Sequence, residues 1–317
     1  MGQTITVVLK LWDESRPPKP KWTATDIPDL SGKVTIVTGG YTGIGLETVR
    51  ALLSKNAKVY IAGRNKSKAD NAINVLKNET GKEVLFIELD LADLKAVKKA
   101  AEEFKSKETQ LHILFNSGGV MVPPVDQLTA DGYDLQFGTN VLGHFYFTKL
   151  LLPVLLETAK SAPDKHVRVV TSSSSGHLFQ SGPIQYDTLR DSSKRKKLGI
   201  TNLYEQSKFG NILFAKELAK RYADQGIVST SLDPGIIKSE LGRHISSFQK
   251  RIMDLMLFPT PMGAITQLYA GTAPEAADLN GAHLIPWARV GEPLAHAKDP
   301  KEAEELWNWL EEQVKDI

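Results

Sequence analysis

Residues 34–45 read Val34-Thr-Ile-Val-Thr38-Gly39-Gly-Tyr-Thr-Gly43-Ile-Gly45. Five β-branched residues run into a glycine-rich turn. An amphipathic segment follows, with Ile44, Thr48, Val49, Leu52 and Leu53 on its inner side. β-Branched side chains suit a pleated strand, and a 3.6-residue period suits a helix, so the stretch predicts strand, turn, helix. Gly39 allows a tight exit from the strand. Gly43 lets the backbone approach a pyrophosphate, and Gly45 lets helix and strand pack closely. The start of the helix offers unpaired N–H groups and a partial positive charge to an anion. The alternative is a glycine-rich turn that binds nothing.

The same alternation continues outward. Strands are expected at 34–38, 59–62, 84–89, 113–116, 167–171, 228–232 and 283–285. Helices are expected at 43–55, 66–78, 94–107, 133–158, 203–224 and 301–314. The early strands are apolar throughout, as strands covered on both faces are. Repeated strand and helix imply a parallel sheet with right-handed crossovers. The expected fold is a single α/β domain, a doubly wound parallel sheet of Rossmann type. It spans 31–317 and follows an N-terminal extension over 1–30.

Composition narrows the function. The 317 residues carry 39 Lys and Arg against 37 Asp and Glu, a net charge of +2, with 41% hydrophobic residues. So balanced a charge gives no support to a nucleic-acid partner. There is no cysteine, hence no disulfide, Cys-ligated metal or thiol nucleophile. The histidines show no metal-binding spacing. This composition suits a reducing compartment, and the cytoplasm is the expected location. No apolar run reaches the ~18–20 residues that span a bilayer. In the extension, Ile5 to Trp12 is apolar and Arg16-Pro-Pro-Lys-Pro-Lys21 is a proline-rich spacer. Met1-Gly2-Gln3-Thr4-Ile5-Thr6 fits the loose myristoylation pattern, so membrane association through the N-terminus stays open beside an arm packed on the domain.

With Thr38 the turn spells Thr-Gly-x-x-x-Gly-Ile-Gly, which resembles the short-chain dehydrogenase/reductase family. The resemblance implies a nicotinamide dinucleotide held by Gly39, Thr42, Gly43, Ile44 and Gly45. The second strand ends Ala62-Gly63-Arg64. A carboxylate at such a strand end accepts from a ribose 2′-hydroxyl and would repel a 2′-phosphate, whereas a guanidinium binds the phosphate. Gly63, Arg64 and, one turn on, Lys68 therefore favour NADP(H) over NAD. Asp90 and Leu91 match the family's adenine contact; the alternative for Asp90 is a helix cap.

Tyr204-Glu-Gln-Ser-Lys208 opens a predicted helix, and positions i and i+4 share a face. An ammonium beside a phenol is expected to lower its pKa from about 10, so that it can act as general acid or base. The strand end Thr171-Ser-Ser173-Ser-Ser-Gly176 resembles the family's serine motif and implies Ser173 as the residue that orients substrate. Ser172 and Ser174 leave that register open by one. Asn140 matches the family's mid-helix asparagine, with the implied role of holding a water that relays protons to Lys208. Leu114-Phe-Asn116-Ser-Gly118-Gly resembles the family's Asn-Asn-Ala-Gly and departs from it at Ser117 and Gly118. Asn116 and Gly118 are expected beside the cofactor. Asp233-Pro234-Gly235-Ile-Ile237-Lys-Ser239 matches Pro-Gly-x-x-x-Ser/Thr and implies that Pro234, Gly235, Ile237 and Ser239 hold the nicotinamide.

Six motifs in order over 33 to about 240 imply hydride transfer to or from an alcohol or carbonyl carbon. The 31 positions from Ser173 to Tyr204 mark an insertion. With the Ala-Gly-Arg strand end and the asparagines at the start of the second helix, it resembles the retinol-dehydrogenase-like branch. Its basic run Lys194-Arg-Lys-Lys197 is expected to be a solvated loop. A helical lid is expected at about 236–262, where Leu241, Phe248, Met253 and Leu257 would favour a small apolar alcohol, aldehyde or ketone. Packing of that helix on the domain is the alternative. The chain is expected to be a monomer or homodimer. A catalytically silent NADP-binding redox sensor or scaffold is the alternative function. A methyltransferase with a similar glycine turn has no account of Tyr204 and Lys208.

Overall fold

The computed structural model describes residues 2–238 and 257–317. The strands β1 (Val34–Thr38), β2 (Lys58–Gly63), β3 (Val84–Glu88), β4 (Ile113–Asn116), β5 (Val167–Ser172), β6 (Ile227–Leu232), β7 (His283–Ile285) and β8 (Arg289–Gly291) form one sheet in the order β3-β2-β1-β4-β5-β6-β7-β8. β1 to β7 pair in parallel, and β8 returns antiparallel to β7. Every residue of β1, β4, β5 and β6 is buried, as strands with helices on both faces must be.

The two faces carry separate cores. One joins Ile36, Leu114 and Val169 to the helices Leu94–Lys107, Gly143–Ser161, Ile200–Tyr222 and Pro300–Val314. The other joins Val37, Phe115 and Leu232 to the helices Gly43–Ser54 and Thr260–Thr272. Trp22, Ile27 and Leu30 of the extension belong to this second core, and the Trp22 ring meets Tyr269 edge-on at 5.5 Å. Strand order reverses between β1 and β4, which are parallel neighbours in space but not consecutive in sequence. In such sheets the crevice at that point is where ligands bind.

Three elements depart from the sequence expectation. Gly2–Ser15, in the extension to which no helix was assigned, is a helix. Thr260–Thr272 is a helix whose residues 263–268 are all buried. It therefore shows no polar face, and the periodic signal that identifies amphipathic helices is missing. The basic run lies in a short helix, Ser193–Leu198. There Arg195 is 1% exposed, its Nε donating to Asp134 Oδ2 at 2.9 Å and its Nη2 to the carbonyl of Gln127 at 2.8 Å. Lys194, Lys196 and Lys197 are exposed as expected, but Arg195 is a buried anchor for the insertion. No helix among the described residues is long and apolar enough to cross a membrane.

Candidate active site

At the C-terminal ends of β1, β4, β5 and β6 lies a cleft of about 840 Å³. Its floor is the glycine turn. Gly39 has φ of +68°, and a β-carbon on it would stand 3.0 Å from the Gly118 Cα. On Gly45 a β-carbon would stand 2.6 Å from the Gly39 carbonyl oxygen, so only glycine lets the helix start this close to the strand exit. Thr42 precedes the helix in extended conformation, and its side chain makes no capping bond. The first amides of this helix and the Thr42 hydroxyl thus line the cleft together with Gly43, Ile44 and Gly45. A dinucleotide pyrophosphate fits this cradle of unpaired amides.

Thr38 locks the turn to β4. Its hydroxyl oxygen accepts from the amides of Ser117 (2.9 Å) and Gly118 (2.8 Å) and sits 2.9 Å from His144 Nε2. His144 Nδ1 lies 3.0 Å from the carbonyl oxygen of Asn140, which can only accept. Nδ1 therefore carries the hydrogen, Nε2 accepts from Thr38, and the ring is neutral. Burial agrees, pushing the His144 pKa down to about 4. The Asn140 carbonyl is available because Gly138–Leu142 is a π-helical turn, a local widening found often at functional sites.

The dinucleotide side is built largely as expected. Arg64 and Lys68 are exposed at the cleft rim, and Asp90 and Leu91 line it. Asp93, not Asp90, caps the following helix, accepting from the amides of Lys95 and Ala96. Gly118 lines the cleft, but Asn116 does not: its Nδ2 donates to Thr148 Oγ1 at 3.1 Å, away from the cleft. Pro234, Gly235 and Ile237 line the opposite wall. Ser239 and residues 239–256 of the lid expected over about 236–262 lie outside the described residues; at its described ends Ile237 pairs with Phe258.

The catalytic group differs from expectation at one position. Ser173 is 2% exposed, and its hydroxyl donates to the Lys208 carbonyl at 2.7 Å. Ser174 carries the hydroxyl that is hydrogen-bonded to Tyr204, and its oxygen also accepts from the Gly176 amide at 3.1 Å. Both serines line the cleft, and of the registers the sequence left open, Ser174 is the one whose hydroxyl meets Tyr204. β5 ends at Ser172, and Ser174 is extended and precedes the short helical turn Ser175–Phe179. Tyr204 and Lys208 share a face of the helix Ile200–Tyr222, the ammonium 5.7 Å from the phenol ring centre. Lys208 Nζ donates to the Ser172 carbonyl at 3.2 Å. Asn140 is fully buried. Its Nδ2 donates to the Val120 carbonyl and to Ser207 Oγ, each at 3.0 Å, and its Oδ1 accepts from the Val120 amide at 2.9 Å.

The expected direction of the tyrosine shift is reversed. Burial pushes the Tyr204 pKa up to about 12; the Ser174 bond lowers it, and the Asp233 charge raises it. Burial brings Lys208 down to about 8, against the charge of Asp233. Desolvation is the largest cause of both shifts. Tyr204 is thus a protonated phenol at neutral pH. Tyr41, Met121 and Asp233 were not singled out by sequence. Tyr41 was legible in principle: its ring lies over Gly63, where a β-carbon would stand 2.2 Å from the ring.

Comparison with known proteins agrees with this architecture. Residues 33–187 match the family model for short chain dehydrogenase. A short-chain dehydrogenase/reductase of Armillaria gallica is 56% identical over 100% of both chains. Among solved structures, an uncharacterized protein from Mycobacterium paratuberculosis is 30% identical with a TM-score of 0.70, covering 93% of this chain and 97% of that one. The Pseudomonas aeruginosa RhlG/NADP active-site complex shares the fold at 24% identity and a TM-score of 0.64, over 81% and 95% of the two chains. The chain belongs to the short-chain dehydrogenase/reductase family of oxidoreductases.

Proposed function

We propose that the chain is an NADP-dependent oxidoreductase that transfers a hydride between the nicotinamide and an apolar alcohol or carbonyl compound. One observation carries the reading. The Tyr204 hydroxyl, bonded to Ser174 and backed by Lys208, opens into the same cleft as the glycine cradle. The bound nicotinamide supplies the hydride donor or acceptor. The protein's own part is to place an oxygen and manage its proton. Ser174 and Tyr204 both hold a substrate carbonyl oxygen by hydrogen bonds. As charge develops on that oxygen, Tyr204 gives up its proton to it. A phenol held protonated suits the reducing direction. Lys208 stabilises the phenolate that remains, since an ammonium next to an anion favours the charged form. Asn140 fixes the Val120 backbone on the wall of the cleft and, with Lys208, faces Gly119.

NADP preference rests on Arg64, which offers a bidentate cation where an NAD site needs a carboxylate. Val120, Met121, Ile236 and Leu257 on the described walls support an apolar substrate. The lack of cysteine is compatible with work in the cytoplasm. The test is NADPH oxidation with a panel of aldehydes and ketones, using wild type and Tyr204→Phe. The expected outcome is turnover by wild type and a loss of about 100-fold or more in the variant with NADPH binding retained. Tight NADPH binding without turnover on any carbonyl would favour a silent sensor instead.

A further inference from the structure

The helix Gly2–Ser15 lies outside the segment matched by the family model, yet one of its side chains reaches the back of the candidate active site. Arg289 holds the helix from one side, its Nη1 donating to both Asp13 carboxylate oxygens at 3.0 Å. Lys10 holds it from another, donating to the carbonyls of Glu292 and Pro293. Between them Glu14 turns inward and is 4% exposed. It is hydrogen-bonded to Asp233, the residue that follows β6.

Asp233 is 1% exposed and ties the site together. Its Oδ1 accepts from the Gly235 amide at 3.0 Å. It is the charged neighbour common to Lys208 and Tyr204. Glu14 Oε2 and Asp233 Oδ2 are both buried, and no N–H or O–H among the described residues reaches either. Ionised carboxylates only accept, so a bond between the two requires a proton on one of them. Two carboxylates sharing a buried site cannot both stay ionised. The pair therefore holds one proton and one negative charge.

We propose that Glu14 is a positioning residue for Tyr204 and Lys208: as a neutral acid it donates to Asp233 and keeps that carboxylate ionised beside the ammonium. The inference rests on the reading of Tyr204 and Lys208 given above. Burial raises both carboxyls, that of Glu14 up to about 9, but Asp233 also accepts from the Gly235 amide and faces the Lys208 ammonium, both of which favour its charged form, so the proton belongs on Glu14. The other groups facing Glu14 are Lys10 and Asp13 of its own helix. His177, on the packed segment Ser175–Phe179, stays neutral because burial takes it down to about 4. Asp233 faces Lys208 and Tyr204 from the helix Ile200–Tyr222. Without the Glu14 donor, a buried Asp233 takes up a proton more readily. Lys208 then loses its counter-charge and deprotonates at lower pH.

The test follows the Lys208 titration by 13C NMR of labelled lysines in the full chain, assigned with Lys208→Arg, for wild type, Glu14→Ala and Glu14→Gln. The pH profile of NADPH-linked reduction and the melting temperature are measured beside it. The expected result for Glu14→Ala is a Lys208 titration, and the matching alkaline limb of kcat/KM, lowered by about one pH unit. Glu14→Gln, whose amide can still donate, stays within about twofold of wild type at pH 7. An unmoved Lys208 titration in Glu14→Ala, or an equal shift in Glu14→Gln, overturns the proposal. If Glu14→Ala does not fold, infrared spectra decide: a protonated-carboxyl band present in wild type at pH 7 and absent in Glu14→Gln is expected, and its absence in wild type overturns the idea. Lack of turnover in wild type counts against the reading of Tyr204. It leaves the NMR and infrared outcomes readable by themselves.

Discussion

The Ser173 hydroxyl donates to the Lys208 carbonyl oxygen at 2.7 Å, so its proton is committed to the helix rather than offered to a substrate. Ser174 is the serine bonded to Tyr204. Substituting the two should separate their roles. Ser174→Ala is expected to lower kcat roughly 100-fold, the usual cost of one oriented donor at a developing oxyanion, with folding stability little changed. Ser173→Ala is expected to lower stability by about 1 kcal/mol, the net value of one buried hydrogen bond, with most turnover kept. Steady-state kinetics and urea unfolding of both variants check this, and the reverse pattern would return Ser173 to the mechanism.

Arg64 stands at the rim with no carboxylate at the end of β2 to oppose a 2′-phosphate. A charge-assisted bond of about 1.5–3 kcal/mol corresponds to roughly 10- to 100-fold in affinity. Arg64→Ala should weaken NADPH binding by that factor and leave NADH binding nearly unchanged. Fluorescence titration with both nucleotides measures it. Equal wild-type affinities for the two would defeat the NADP preference.

Gly45 leaves no room for a side chain, because a β-carbon there would meet the Gly39 carbonyl oxygen at 2.6 Å. Gly45→Ala must move backbone on one side of the turn, and such overpacking costs about 1–3 kcal/mol. The expected outcome is a lower melting temperature and at least about tenfold weaker NADPH binding. An alanine variant with wild-type affinity would show that the turn does not need this close approach.

His144 is buried and neutral, its pKa taken down to about 4 by burial. An unfolded histidine titrates near 6.5, so between about pH 6.5 and 4 the unfolded chain binds the extra proton. Stability from this group is therefore complete at neutral pH and is lost as pH falls. Linkage puts the loss at about 2 kcal/mol by pH 5. His177, also taken down to about 4, acts in the same direction. Urea unfolding at pH 7 and pH 5 should show the fall, with a smaller fall in His144→Gln. A pH-independent midpoint would contradict a neutral, buried imidazole.

Much of this molecule was written locally. The buried strands, the glycine turn and the Tyr204–Lys208 spacing depend on periods of two and 3.6 residues and on glycine sterics. Short windows carry all of these. The same holds for Arg64, whose meaning follows from its place at a strand end. Local pattern failed where burial was complete. Thr260–Thr272 has no exposed face to reveal it as a helix, and Arg195 looked like one more solvated cation until Asp134 closed on it.

Sequence alone therefore determined the sheet, the glycine turn and the shared helix face of Tyr204 and Lys208, because each follows from the order of neighbouring residues. Tertiary structure decided which serine of a run of four faces Tyr204, which way the tyrosine pKa moves, and that Glu14 meets Asp233 across more than two hundred residues of chain. Those outcomes depend on which side chains burial brings together and on how much water it removes. Neither is encoded in any short stretch of the chain.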